Sequence, residues 1–329
     1  MQIYDIPIDS RRMETTQIGT FEFPLAVHEN DLKQNVLGFV NWHWHYEFQL
    51  TYVVRGTISV FLDQRIIDLH EGQGIYINPE VLHMIRDRYD TDAMFISLDV
   101  SPRLLTSFPN SVFERSYVKP VFRSSAADAV VLDPGVSWQK NILDSAKSIE
   151  QVYKRKDFGW ELAVCSSLYS LWNELVCHLQ ESLAEDDAPA AEVARQRRSQ
   201  RIKDTLAYIR EHYAQKLTLD EIAEHIHLST NECCRFFKKN MNCTLFEYIT
   251  EYRLGKSMEL LEHTDLPVSQ IAYETGFGSS SYFIEKFRKN VGTTPAAFRK
   301  AGRQVRQGAS GARSSFTPGN ILIMDEKAP

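Results

Sequence analysis

Two stretches in the last third of the chain are copies of one another: LTLDEIAEHIHLSTNECCRFFKKN at 217–240 and LPVSQIAYETGFGSSSYFIEKFRKN at 266–290. Ile222 and Ala223 answer Ile271 and Ala272, Leu228 answers Phe277, and Phe237 answers Phe287, with the second copy one residue longer in its turn. Each copy reads as two short helices joined by a tight turn. Thr218 with Glu221, and Ser229 with Glu232, have the spacing at which a hydroxyl and a carboxylate satisfy the free amides of a helix start. Ala223 and Ala272 are small enough for the paired helices to approach closely. A helix-turn-helix closed by a basic pair, Lys238 and Lys239 or Arg288 and Lys289, is the geometry that seats a helix in a DNA major groove. A third capping pair, Thr244 with Glu247, opens a long helix carrying Leu245, Ile249, Tyr252, Met258 and Leu261. That helix would hold the two units at a fixed distance, as two recognition helices on one side of a duplex need to sit ~34 Å apart.

Charge divides along the same line. Residues 1–194 carry 16 Lys+Arg against 28 Asp+Glu, whereas 195–329 carry 21 against 15, so a basic module follows an acidic one. The split favours contact with a phosphate backbone through the second half. The five cysteines, Cys165, Cys177, Cys233, Cys234 and Cys243, lack metal-ligand spacing and read as reduced thiols. The N-terminus has no apolar signal core, and no segment approaches the ~20 apolar residues of a membrane span, so a cytoplasmic protein is expected. With 329 residues, two domains are expected at ~150 residues per domain.

Ahead of the repeat, short apolar runs such as FQLTYVV, TISVFL, GIYINP and AMFISLDV alternate with turn signals between about Thr20 and Asp99, the pattern of a small sandwich or barrel. From Val136 to Glu181 the period becomes helical. Ile142, Ala146, Ile149 and Tyr153 share one face, as do Leu168, Leu171, Leu175 and Leu179. The second stripe suits either a dimer surface or packing on the chain's own barrel. The fold class expected is therefore α+β and multidomain. It comprises a small β-barrel over 1–135, a helical connection over 136–181, a linker over 182–200, an all-α double helix-turn-helix over 201–302, and a flexible tail over 303–329.

The segment from LTLDEIAEHIHLS to IAYETGF, SYF and FRKNVGTTPAAFRK resembles the DNA-binding domain of the AraC/XylS family of bacterial transcription regulators. That resemblance covers ~100 residues and implies a seven-helix domain whose base-reading positions lie on the first turns of the recognition helices. Carried over, these are Asn231, Cys234 and Arg235 in the first unit and Ser280, Ser281 and Glu285 in the second. Arg235 suits a guanine edge and Asn231 an adenine edge. Glu285 stands where many relatives are basic; it can accept from a cytosine amine but repels phosphate. Lys238, Lys239, Arg288 and Lys289 are expected at phosphates, or as solvated helix ends complementing the helix dipole. Phe236, Phe237, Tyr282, Phe283 and Phe287 are expected in the core. Pro267 replaces the capping residue Thr218 and still fits a helix start.

The run NWHWHYEFQLTYVVRG places His43, His45, Glu47 and Gln49 on one strand face, and HEGQGIYINPEVLHMI supplies His83. These runs resemble the cupin barrel in the variant that serves the same family as an effector-binding domain. The metal-binding cupin positions match His43, His45, Gln49 and His83, so the usual carboxylate is replaced by an amide. Three readings stay open: polar lining of a small-molecule pocket, a metal site at His43, His45 and His83, or satisfied barrel histidines. The pocket expected is Trp42, His43, His45, Gln49, Tyr76 and His83, with Trp44 beside them, and no cofactor is assigned. No Ser-His-Asp set, phosphate-cradling glycine loop or carboxylate pair stands out, so an enzyme is not expected. The expectation is a sequence-specific DNA-binding regulator responding to a sugar or a small aromatic or organic acid. Its partners are promoter DNA and that effector, with a homodimer and RNA polymerase as further candidates.

Overall fold

The computed structural model describes residues 13–14, 18–35, 38–62, 65–185, 189–241 and 243–300. Two antiparallel sheets build the first domain. One has five strands in the order β1 (Leu25–Asp31), β8 (Met94–Val100), β3 (Phe48–Arg55), β6 (Gly74–Ile77) and β9 (Ala129–Leu132). The other has four, β2 (Phe39–His43), β7 (His83–Arg86), β4 (Thr57–Leu62) and β5 (Arg65–His70). Alternation along each strand decides what lies between them. Val53, Ile58, Val60, Leu62, Leu69, Ile75, Ile77, Ile85 and Phe95 form the apolar core shared by the two sheets.

The other face of the five-stranded sheet is also buried, which explains why its strands read as nearly continuous apolar runs. After the short helices α1 (Arg103–Thr106) and α2 (Lys119–Arg123) come two long ones, α3 (Ser137–Arg155) and α4 (Trp160–Glu185), against which Leu50, Tyr52, Tyr76, Ile96 and Leu98 pack on that face. The leucines of the second helical stripe, Leu168, Leu171, Leu175 and Leu179, all lie in this cluster. Burial of a leucine stabilises by roughly 2 kcal/mol, so the stripe is committed to its own domain.

The linker expected at 182–200 is largely helical. The helix α4 runs to Glu185, and α5 (Pro189–His212) begins four residues later. The segment has no apolar period, but Ala, Glu, Gln and Arg are strong helix formers and Pro189 stands at a first helical position, where its missing N–H costs nothing. The tail expected at 303–329 lies outside the described residues.

Among the described residues six helices follow α5: α6 (Leu219–His225), α7 (Thr230–Met241), α8 (Leu245–His263), α9 (Val268–Glu274), α10 (Ser280–Val291) and one over 295–300. The capping boxes form as the spacing predicts. The Thr218 and Thr244 hydroxyl oxygens accept from the backbone N–H of Glu221 and Glu247, whose carboxylates accept in return from the cap N–H. Ser229 and Glu232 make the same exchange at the start of α7. Pro267 starts α9 without a side-chain cap. Each repeat closes its turn with one equivalent bond, Leu228 N–H to Ala223 C=O and Phe277 N–H to Ala272 C=O, both 2.9 Å. Among the described residues no helix is long and apolar enough to cross a membrane.

Candidate nucleic-acid interface and interior pocket

Both second helices of the repeats bury one stripe and expose the other. In α7, Cys233, Phe237 and Met241 are buried, which turns Asn231, Cys234, Arg235, Lys238 and Lys239 outward. In α10, Phe283 and Phe287 are buried, so Ser281, Glu285, Arg288 and Lys289 are exposed and Ser280 is half-buried. Ser281, Glu285, Arg288 and Lys289 line one open surface hollow together with Ile284. All the residues expected at base edges or phosphates therefore reach the surface, Ser280 only in part. Tyr282 differs from expectation: it is 43% exposed on the first turn of α10, with the Lys286 ammonium 5.2 Å from its ring centre. Phe236 is half-buried, with the Arg201 guanidinium 5.8 Å from its ring centre.

The interior of the first domain is polar at one end. His43 and His83 are paired across β2 and β7, and their ring centres lie 4.1 Å apart. The His45 ring is 5.3 Å from that of His83. From the facing sheet come Gln49 on β3 and Asp99 on β8, direct register partners, with Thr51 and Ser97 the next such pair on that face. All of these side chains are buried. Asp99 also reaches His28, 3.3 Å from its Nε2, and lies 3.9 Å from His45 Nε2. Burial pushes His83 down to about 3, which keeps its imidazole neutral at physiological pH. Burial likewise raises Glu47, near the rim.

Two residues expected in this pocket are elsewhere. Tyr76 stands on the opposite face of the five-stranded sheet, within the cluster under α3 and α4, and its hydroxyl donates to Asn78 Oδ1 at 2.7 Å. Trp42 points out of the sandwich, because β2 alternates and a register shift lies between Val40 and His43. Conversely, sequence reasoning missed Asp99, His28, Thr51 and Ser97. They share the period of two with apolar neighbours, and strand pairing alone brings them opposite the histidines.

The outward face of the four-stranded sheet meets the first helix-turn-helix. Phe39, Trp42, Phe61 and Met84 form one apolar cluster with Ile202, Leu206, Ile222, Phe237, Met241, Leu245 and Ile249. Around it, Arg86 bonds Glu251 at 3.2 Å, and the Lys203 ammonium sits 3.7 Å from the Trp44 ring centre and 3.8 Å from Glu80. Lys203 is almost fully buried, so this cation–π contact lies in a largely desolvated setting, where such contacts are strongest. The strands holding His43 and His83 thus touch the helical domain, together with β4 through Phe61.

Comparison with known proteins matches both halves. A family model described as an AraC-like ligand binding domain fits residues 32–157, and one described as a helix-turn-helix domain fits residues 222–301. The uncharacterized HTH-type transcriptional regulator YdeC of Bacillus subtilis (strain 168) is 34% identical over 293 residues, 89% of this chain and 97% of that protein. YfiF of the same organism, likewise an uncharacterized HTH-type transcriptional regulator, is 24% identical, covering 87% and 91%. The melibiose operon regulatory protein of Escherichia coli (strain K12) is 25% identical, covering 80% and 85%.

Proposed function

The chain belongs to the AraC/XylS family, as a DNA-binding transcription regulator with an N-terminal ligand-binding domain, and from that premise we propose that a small effector held between the two sheets controls promoter recognition by α7 and α10. In this reading Asn231, Cys234 and Arg235 face one major groove, and Ser280, Ser281 and Glu285 the next. Lys238, Lys239, Arg288 and Lys289 take phosphates, which orient the protein without specifying sequence. The effector contacts His43, His45, Gln49 and His83, to which Asp99 and Thr51 are added. A lining rich in hydrogen-bond acceptors suits a sugar or small organic acid with several hydroxyl groups, and the similarity to a melibiose operon regulator favours the sugar. The regulator acts in the cytoplasm as a homodimer on promoter DNA, with RNA polymerase as a further partner.

One observation carries the proposal. On β2 and β7, His43 and His83 face the pocket while their chain neighbours Trp42 and Met84 pack into the core of the first helix-turn-helix. An effector that prefers one setting of these strands biases how α5 to α8 sit against the sheet, and only such a preference can shift the equilibrium. Titrating the full chain with promoter fragments at several salt concentrations tests the reading. The expected outcome is a binding constant that falls steeply with salt and exceeds that for random DNA by on the order of 10³ or more. Affinity that ignores salt, or that is equal for random DNA, would overturn it.

A further inference from the structure

The three pocket histidines share an arrangement that the effector reading does not require. Their Nδ1 atoms each meet a backbone carbonyl: His43 at Asn41 O, 2.7 Å; His45 at Glu47 O, 2.9 Å; His83 at Val81 O, 2.9 Å. A carbonyl oxygen only accepts, so each Nδ1 carries the hydrogen, and in a neutral ring each Nε2 is left with its lone pair. One ring nitrogen of each histidine lies within 4.8 Å of the other two. The Nε2 atoms of His45 and His83 are fully buried and without a hydrogen-bond partner among the described residues, as is Asp99 Oδ1, which lies 3.9 Å from His45 Nε2. Gln49 donates one amide hydrogen to Thr51 Oγ1 at 3.1 Å, while its buried Oε1 meets no donor among the described residues.

Buried acceptors that meet no donor are unfavourable. A cation meets the imidazole nitrogens and the Asp99 carboxylate at once. Backbone carbonyls on the remote ring nitrogens are also the support that fixes the tautomer and orientation of metal-bound histidines. Ligands ~2.1 Å from a tetrahedral ion stand roughly 3.4 Å apart, so the three histidines, with ring nitrogens within 4.8 Å of one another, need only small rotations, and Asp99, 3.9 Å from His45 Nε2, turns further to join them. We propose that His43, His45 and His83, with the Asp99 carboxylate as fourth ligand, bind a divalent transition-metal ion of the zinc class inside the first domain. Asp99 supplies, from the facing sheet, the negative charge absent at Gln49. The site lies in the pocket assigned to the effector, yet it rests on the donor set and stands whether or not the chain reads a promoter.

The test is a titration of full-length protein, stripped with a chelator, with Co²⁺ and then Zn²⁺ against a chromophoric competitor. The expected result is one ion per chain, visible Co²⁺ ligand-field bands without thiolate charge transfer, and displacement of Co²⁺ by Zn²⁺. His43→Gln and His83→Gln should each weaken binding by more than ~100-fold, beyond the 10–100-fold typical of an outer-shell partner. Asp99→Asn should weaken it by ~10-fold or more. Failure of the parent protein to take up either ion overturns the site, as does thiolate charge transfer, or a folded His83→Gln that binds as tightly as the parent. Should the glutamine variants fail to fold, the stoichiometry and spectrum of the parent decide alone. Promoter titration of the same samples reports separately on the regulator reading.

Discussion

Trp42 and His43 are consecutive residues on β2 whose side chains leave the sheet on opposite faces, the imidazole into the sandwich and the indole into the core of the first helix-turn-helix. Trp42→Ala therefore acts on the connection between the two. Loss of this buried ring is expected to lower the unfolding free energy by roughly 3–5 kcal/mol. It should also shrink effector-induced changes in promoter affinity, of the order of 5–150-fold in coupled systems, towards none. Denaturant unfolding together with anisotropy titrations, with and without effector, measures both; an unchanged effector response would place the coupling elsewhere.

The two repeats turn through a left-handed residue at the same position, His227 with φ 56° and Gly276 with φ +79°. The consequences of substitution differ because of the surroundings. A Cβ on Gly276 would fall 2.3 Å from Tyr213 O and 2.9 Å from Arg253 Nε, in the joint where Arg253 donates to the Tyr213 and Gln215 carbonyls. Gly276→Ala should cost at least about 2 kcal/mol, adding displacement of this joint to left-handed strain. His227→Gly relieves strain at an entropic cost of similar size and should stay within ~1 kcal/mol of the parent. Thermal melts of both variants check the contrast.

Glu221 and Glu232 are held below the ordinary glutamate value of 4.5 by the hydroxyl and backbone N–H groups of Thr218 and Ser229; Glu247 is held below it chiefly by the Thr244 backbone N–H. Because the folded values are depressed, the stabilisation is complete above the unfolded value and is lost as pH falls through the folded one. Thr244→Ala should cost about 1 kcal/mol at neutral pH and flatten part of the stability loss on acidification. Melting curves between neutral and acidic pH report the difference; equal pH slopes in parent and variant would dismiss the Thr244 hydroxyl as a source and leave the backbone N–H.

Arg235 and Lys238 lie on the same exposed face of α7 but should fail differently. Arg235→Ala is expected to cost ~1–3 kcal/mol and to relax preference at one base pair, whereas Lys238→Ala should weaken all sequences alike and reduce the salt slope by ~1. Cys234, beside Arg235, provides a footprint. Burial pushes Cys233 up to about 11 and Cys243 up to about 12, so both should resist alkylation at neutral pH, while exposed Cys234 and Cys177 react. Promoter DNA should protect Cys234 and leave Cys177 reactive, as read by peptide mass spectrometry.

The double helix-turn-helix was legible in the sequence because its signals are local: caps three residues apart, an apolar stripe within a dozen residues, and the whole pattern stated twice. The amino-acid order by itself also showed short strands ahead of it and histidines near one another. It did not show which way a strand faces. Alternation separates Trp42 from His43 and Tyr76 from Ile77, but only the pairing of sheets and the register shift in β2 decide which member of each pair lies inside. Asp99 is invisible from the histidine motif because its place opposite Gln49 depends on pairing between strands distant in the chain. The helix α5 lacks an apolar period through its first turns, yet it holds its form from backbone propensity and anchors Lys203 on Trp44. Contact between the domains was likewise settled only by tertiary structure, since burial of a strand's outer face depends on what another domain brings to it.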